Sequence, residues 1–161
     1  MKKIHTLIFF IFMTGTLFAK THTYYYNREW SRANPENAVY YREISDTRNF
    51  RGYAYTDFFM NGRPKSSGYM KKFNNKNTIN GPVIIYDFDG KTAEKSSYLS
   101  GKKHGKEIKY YRNGAIRSIT GYKNGMKHGK EIKYFENETI SYEANYKNGI
   151  LDGTETFYKL N

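Results

Sequence analysis

The chain has 161 residues, no cysteine, and 27 Lys+Arg against 15 Asp+Glu, a formal net charge of +12. That length suits one modest domain. The absence of cysteine excludes a disulfide-stapled miniprotein and every thiolate-based zinc, redox or nucleophilic site.

Lys2-Lys3 is a short basic start, and residues 4–18 form an apolar stretch broken only by His5, Thr and Gly, with Ala19 small at a cleavage position. The stretch is too short and too close to the N-terminus for a membrane span. Residues 1–19 therefore read as a Sec-type signal peptide, which predicts a periplasmic or extracellular protein. No cysteine follows it, so this is not a lipoprotein. Removing these residues takes away two lysines and no acid, and Leu, Ile, Val and Phe then make up about 15% of what is left. With a net charge of +10, such a composition leans toward disorder.

Residues 20–52 hold Tyr24-Tyr25-Tyr26, Trp30 and Tyr40-Tyr41. They read as a β-rich N-terminal cap, with residues 33–37 as a turn around Pro35 and the single Trp in its core. Residues 53–80 read as a degenerate repeat: Phe58-Phe59-Met60-Asn61-Gly62 mimics Tyr110-Tyr111-Arg112-Asn113-Gly114. Its connection at 71–80, rich in Asn and Lys, predicts a long loop.

From residue 81 onward a beat emerges. Gly81, Gly105, Gly129 and Gly153 stand 24 residues apart. Tyr86, Tyr98, Tyr110, Tyr122, Tyr134, Tyr146 and Tyr158 recur every 12 residues, with Asn-Gly, Asp-Gly or Ser-Gly between most of them. Fixed-period self-similarity decides the architecture. A 12-residue step with a turn signal fits a strand plus a turn. The units are 81–104, 105–128, 129–152 and a partial 153–161, and the fold class is all-β: an elongated antiparallel meander of consecutive β-hairpins.

Alternation predicts the faces. Ile108 and Tyr110, Ile116, Thr120 and Tyr122, Ile132 and Tyr134, and Ile140, Tyr142, Ala144 and Tyr146 are expected inside. Glu107, Lys109, Arg117, Lys123, Glu131, Lys133, Glu143 and Lys147 are expected in solvent. Keeping all tyrosines on one face requires loops of odd length. A three-residue loop at Arg112-Asn113-Gly114, with a left-handed Gly, pairs Tyr110 with Ile116. A five-residue loop at 124–128 pairs Thr120 with Ile132. The glycines heading each unit are expected to hold the face open for a neighbouring ring.

Tyr122-Lys-Asn-Gly125-Met-Lys-His128-Gly129 resembles a MORN-type repeat, and the stretches at Tyr98 and Tyr146 resemble it with small departures. Glu107, Glu131 and Glu155 stand where the usual motif carries a second glycine, which resembles the bacterial variant found in YwqK-type antitoxins. The resemblance implies a scaffold for protein association or membrane-lipid contact, or else an antitoxin or immunity protein that neutralises a toxin.

Lysines recur in columns, Lys109 with Lys133 and Lys123 with Lys147, and two strands' separation places such a pair about 9–10 Å apart. Together with Arg112 and Arg117 these are the candidate binding residues. A protein partner, an anionic lipid or a polysaccharide surface suits them, and edge pairing offers a homodimer. Export disfavours nucleic acid. No catalytic, cofactor or metal residues are expected. His104 and His128 recur with the period and lie too far apart to share one ion, and no catalytic triad, phosphate loop or calcium loop is present. The sequence thus predicts an exported, non-enzymatic binding module without a cofactor.

Overall fold

The computed structural model describes residues 20–49, 51–71 and 78–160. The expected signal peptide at 1–19 and the middle of the long loop expected at 71–80 lie outside them. Among the described residues, thirteen strands form one open antiparallel sheet, following the chain almost without exception. They are β1 (Thr21–Tyr26), β2 (Tyr40–Asn49), β3 (Gly52–Phe59), β4 (Pro64–Met70), β5 (Ile79–Tyr86), β6 (Thr92–Leu99) and β7 (Lys102–Lys103). Then follow β8 (Gly105–Tyr110), β9 (Ile116–Lys123), β10 (Met126–Tyr134), β11 (Ile140–Lys147), β12 (Ile150–Leu151) and β13 (Thr156–Phe157). A single 3-10 turn, Pro35–Asn37, marks the turn expected around Pro35. No helix among the described residues is long and apolar enough to cross a membrane.

Two turn chemistries alternate. Four loops of one kind, after β3, β5, β8 and β10, carry an Asx hydrogen bond. In the loop after β8, Tyr111 N–H donates to the Ala115 carbonyl at 2.8 Å and Ala115 N–H to Asn113 Oδ1 at 2.9 Å, with Gly114 at φ 92°. This is the predicted three-residue loop, and Tyr110 pairs with Ile116 as expected. The other kind is tighter than predicted. Asn124 (φ 54°) and Gly125 (φ 88°) alone close the β9–β10 hairpin, so Met126 pairs with Lys123. Two successive left-handed residues give the turn whose twist matches flanking strands. Ser100-Gly101 and Asn148-Gly149 repeat it.

That two-residue turn corrects the predicted faces. Glu131, not Ile132, pairs with Thr120, and Ile132 pairs with Ile119. The register is restored by a bulge after Lys127, opposite Gly121. A Cβ on Gly121 would collide with the His128 carbonyl oxygen. An even turn also splits the tyrosines. Tyr98, Tyr122 and Tyr146 pair with Gly81, Gly105 and Gly129 on one face. Tyr86 reaches Ser67 at 3.1 Å, and the Lys95 ammonium lies over Tyr110, on the other. Gly81, Gly105, Gly129 and Gly153 all have φ between 80° and 98°, and added methyls there would meet open space or ordinary contact. Backbone conformation, not room for a ring, demands them.

The register builds one row across the sheet. Ile44, Tyr55, Gly68, Val83 and Ser96 stand side by side on β2 to β6. Glu107, Thr120, Glu131 and Ala144 continue the row on β8 to β11. All but Gly68 are buried. Ile44, Tyr55 and Met70 form the apolar cluster at the N-terminal end. One pleat away, Asp57 is buried beneath Arg42, whose two hydrogen bonds measure 2.5 and 2.9 Å. Burial, then the Asp57 charge, pushes the neighbouring Tyr55 phenol up to about 12. Trp30 stacks on Tyr40 at 5.1 Å beside these strands.

Gly121→Ala and Gly129→Ala separate the two uses of glycine. Gly129→Ala is expected to cost about 1–2 kcal/mol, the penalty of a left-handed residue with a side chain. Gly121→Ala is expected to cost more, because backbone must move. Urea unfolding of both variants checks the order.

Candidate functional site

The surface of interest lies over β8, β9 and β10, where the central row is charged. Glu107 and Glu131 are 3% and 5% exposed and flank Thr120, whose hydroxyl donates to Glu131 at 3.5 Å. Sequence alternation had assigned both carboxylates to solvent. They are inside because a lysine four residues upstream accompanies each. Lys127 Nζ donates to both Glu131 oxygens at 2.8 Å. Lys103 Nζ donates to Glu107 and, at 3.0 Å, to Glu94, while Lys109 approaches Glu107 at 3.3 Å. Burying a carboxylate costs several kcal/mol, which only such pairing offsets.

Each lysine also covers a ring. Lys103 Nζ lies 5.4 Å from the Tyr122 centroid and Lys127 Nζ 4.7 Å from that of Tyr146. These are cation–π distances. The Lys–Glu rung replaces an apolar one: 24 residues earlier the same positions hold Ile79 and Val83. The signal was therefore in the sequence, as a paired change inside the repeat.

The pairs perturb each other's protonation. Burial alone would depress the Lys103 ammonium, but hydrogen bonds to Glu107 and Glu94 outweigh it and raise its pKa. Burial likewise pushes Glu107 up, and Lys103 followed by Lys109 hold it below the usual carboxylate range. Lys127 is raised by Glu131 in the same way, against its own burial.

Above these rungs opens a groove of about 450 Å³. It gathers three of the six candidate residues, Lys109, Arg117 and Lys133, with Ser118, Tyr111 and Tyr134. Lys109, Ser118 and Lys133 share a register row, so the two lysines stand two strands apart as predicted. Lys133 Nζ sits 4.3 Å from the Tyr142 ring centroid. Among the described residues, neither Arg117 nor Lys133 has a carboxylate partner. The other three candidates are elsewhere. Arg112 is held by Asp89 at 2.6 Å across neighbouring loops, and that guanidinium keeps the Asp89 carboxyl low. Lys123 and Lys147 flank the tight turns at the far end of the strands. Among the described residues no His, Asp and Glu cluster could hold a metal ion, and the Nδ1 atoms of His104 and His128 are buried without a partner.

Two stretches match the MORN repeat variant, residues 103–124 and 127–148. Both begin at the lysine of a Lys–Glu rung and run through the hairpin that follows. The charged rungs and the groove above them thus lie within the two stretches that are similar to this repeat. No curated protein and no solved structure matches the chain.

Two outcomes test the rungs. Lys127→Ala strands a buried carboxylate and is expected to cost about 2 kcal/mol, whereas Lys127→Ile with Glu131→Val, copying Ile79 and Val83, is expected to be neutral or stabilising. Chemical denaturation checks both. The pH dependence follows from the shifts. Glu107 is held low, so its contribution is present above an ordinary carboxyl's pKa of about 4.3 and is lost as pH falls through the lowered value. Lys103 is held high, so its contribution is present below about 10.4 and is lost as pH rises through the raised value. Wild-type stability is expected to show a plateau with both limbs. Lys103→Ile with Glu107→Val is expected to flatten them.

Proposed function

We propose that the protein is an exported, non-enzymatic binding module whose groove over β8–β10 takes an acidic segment of a protein partner. The observation that carries this reading is the pair Arg117 and Lys133. Both stand in the groove with no carboxylate of their own, while every buried acid beneath them is already neutralised. An incoming carboxylate would gain charge-assisted hydrogen bonds from Arg117 and Lys133. Tyr111 adds a ring and Ser118 a hydroxyl, the mixture common at protein contacts. The proposed export rests on the basic start, apolar run and small residue of 1–19.

Hexaglutamate bearing a fluorophore serves as probe, with anionic vesicles and heparin as comparisons. Arg117→Glu with Lys133→Glu is expected to weaken hexaglutamate binding at least about tenfold near physiological salt, where exposed charges beyond about 8 Å are screened. Lys123→Glu with Lys147→Glu, an equal charge change on the distant turns, is expected to leave it unchanged. Equal losses from both pairs would reduce the groove to general charge, and stronger retention on vesicles would shift the partner to a lipid surface. Intact-mass measurement after expression checks the export reading, with a mature N-terminus at Lys20 expected.

A further inference from the structure

The two edges of the sheet are unlike. At the N-terminal edge the chain folds back over the end of β1: Ala33 N–H donates to the Tyr25 carbonyl at 3.1 Å, and Tyr26 bridges Arg32. The Arg32 guanidinium then lies 3.8 Å from the Tyr24 centroid. Such cover blunts an edge. At the other end β13 pairs only with β11, and among the described residues nothing pairs with its outward side. Tyr158 N–H donates to the Ser141 carbonyl at 3.0 Å. Antiparallel bonding alternates along a strand, so the Phe157 N–H and C=O point away from β11. Phe157 is 72% exposed and Leu160 58%.

The terminal unit also departs from the repeat at the edge itself. Leu151 replaces the lysine of Lys103 and Lys127, so among the described residues Glu155 has no cation and accepts only from the Tyr142 hydroxyl at 2.8 Å. Phe157 replaces Lys109 and Lys133, and Lys159 replaces the aromatics Tyr111 and Phe135. The three changes fall between Leu151 on β12 and Lys159, just past the two-residue β13.

We propose that this edge pairs with a second copy of the same chain, antiparallel and centred on Phe157. In that register the two Phe157 residues exchange backbone hydrogen bonds across the two-fold axis. Glu155 then faces Lys159 of the second copy, and the reciprocal pair forms by symmetry. Thr154 faces Leu160 and Thr156 faces Tyr158. A slip of two residues either way sets Glu155 or Lys159 opposite Phe157 and forfeits the ion pair, and a slip of four centres the contact on Glu155 or on Lys159 and sets like charges opposite each other, which cross-strand pairing disfavours. The cation missing from the last rung is thus supplied by the second copy. The axis stands perpendicular to the sheet, so both copies turn the same face, and both grooves, to one side. The dimer does not depend on what the groove binds.

Sedimentation velocity over a concentration series tests it on the protein as recovered from the expressing cell. The wild type is expected to show a monomer–dimer equilibrium that stops at two. Lys159→Glu and Glu155→Lys are each expected to raise the dimer dissociation constant at least about tenfold through like-charge contact, and the double exchange is expected to restore it. Far-UV circular dichroism reports whether each variant keeps its strands. Phe157→Cys, the only cysteine in the chain, is expected to oxidise to a covalent dimer, since facing Cα atoms about 5.5 Å apart lie within disulfide reach. A wild type that stays monomeric, charge reversals without effect, or assembly that continues past two by pairing with β1 would each overturn the proposal. The groove pair Arg117→Glu with Lys133→Glu is expected to leave the dimer intact, so loss of hexaglutamate binding and loss of dimer are separable results.

Discussion

A single layer of sheet has to bury its own centre. Among the described residues nothing packs across the row that runs from Ile44 to Ala144, so that row is covered by long side chains leaning in from its own neighbours. This constraint explains the composition. Few aliphatics are needed when no second layer has to be filled, and tyrosine and lysine are favoured because each reaches over a neighbour while keeping a polar tip in water. It also explains why the row tolerates acids. Glu107 and Glu131 occupy its middle because Lys103 and Lys127 can lie down over them, with the far side of each ammonium resting on a ring.

The same arrangement divides the positive charge into kinds. Lys103 and Lys127 are consumed by the buried acids, Arg112 holds neighbouring loops together through Asp89, and Lys123 and Lys147 sit at the ends of tight turns. Only Arg117 and Lys133 combine a place in the groove with an absence of acidic partners among the described residues.

The period, the strand-and-turn reading and the loop at Arg112-Asn113-Gly114 were legible, because glycine and asparagine punctuation is local chemistry. The faces were less so. Alternation alone treats every Glu as a solvent residue, and it hid the Lys-x-x-x-Glu pairs at 103/107 and 127/131 that carry charge inward. Nor did a pattern of apolar residues reveal that Asn124-Gly125 closes a hairpin by itself, with the bulge opposite Gly121 taking up the register. The split of the tyrosines into Tyr98, Tyr122, Tyr146 and their counterparts on the other face follows from that one even turn. Of the site, Lys109, Arg117 and Lys133 were named from the sequence. Their separation from Lys123, Lys147 and Arg112 depended on which end of each strand they occupy.

The order of strands has a mechanical meaning. The two ends of the described chain leave from opposite edges of a ribbon in which each strand bonds almost solely to the next. Tension between those ends peels hydrogen bonds one after another, because they run perpendicular to the strands, and the load is never shared along a whole strand in shear. Pulled from those ends, such a sheet is expected to yield hairpin by hairpin at low force and to lengthen in steps.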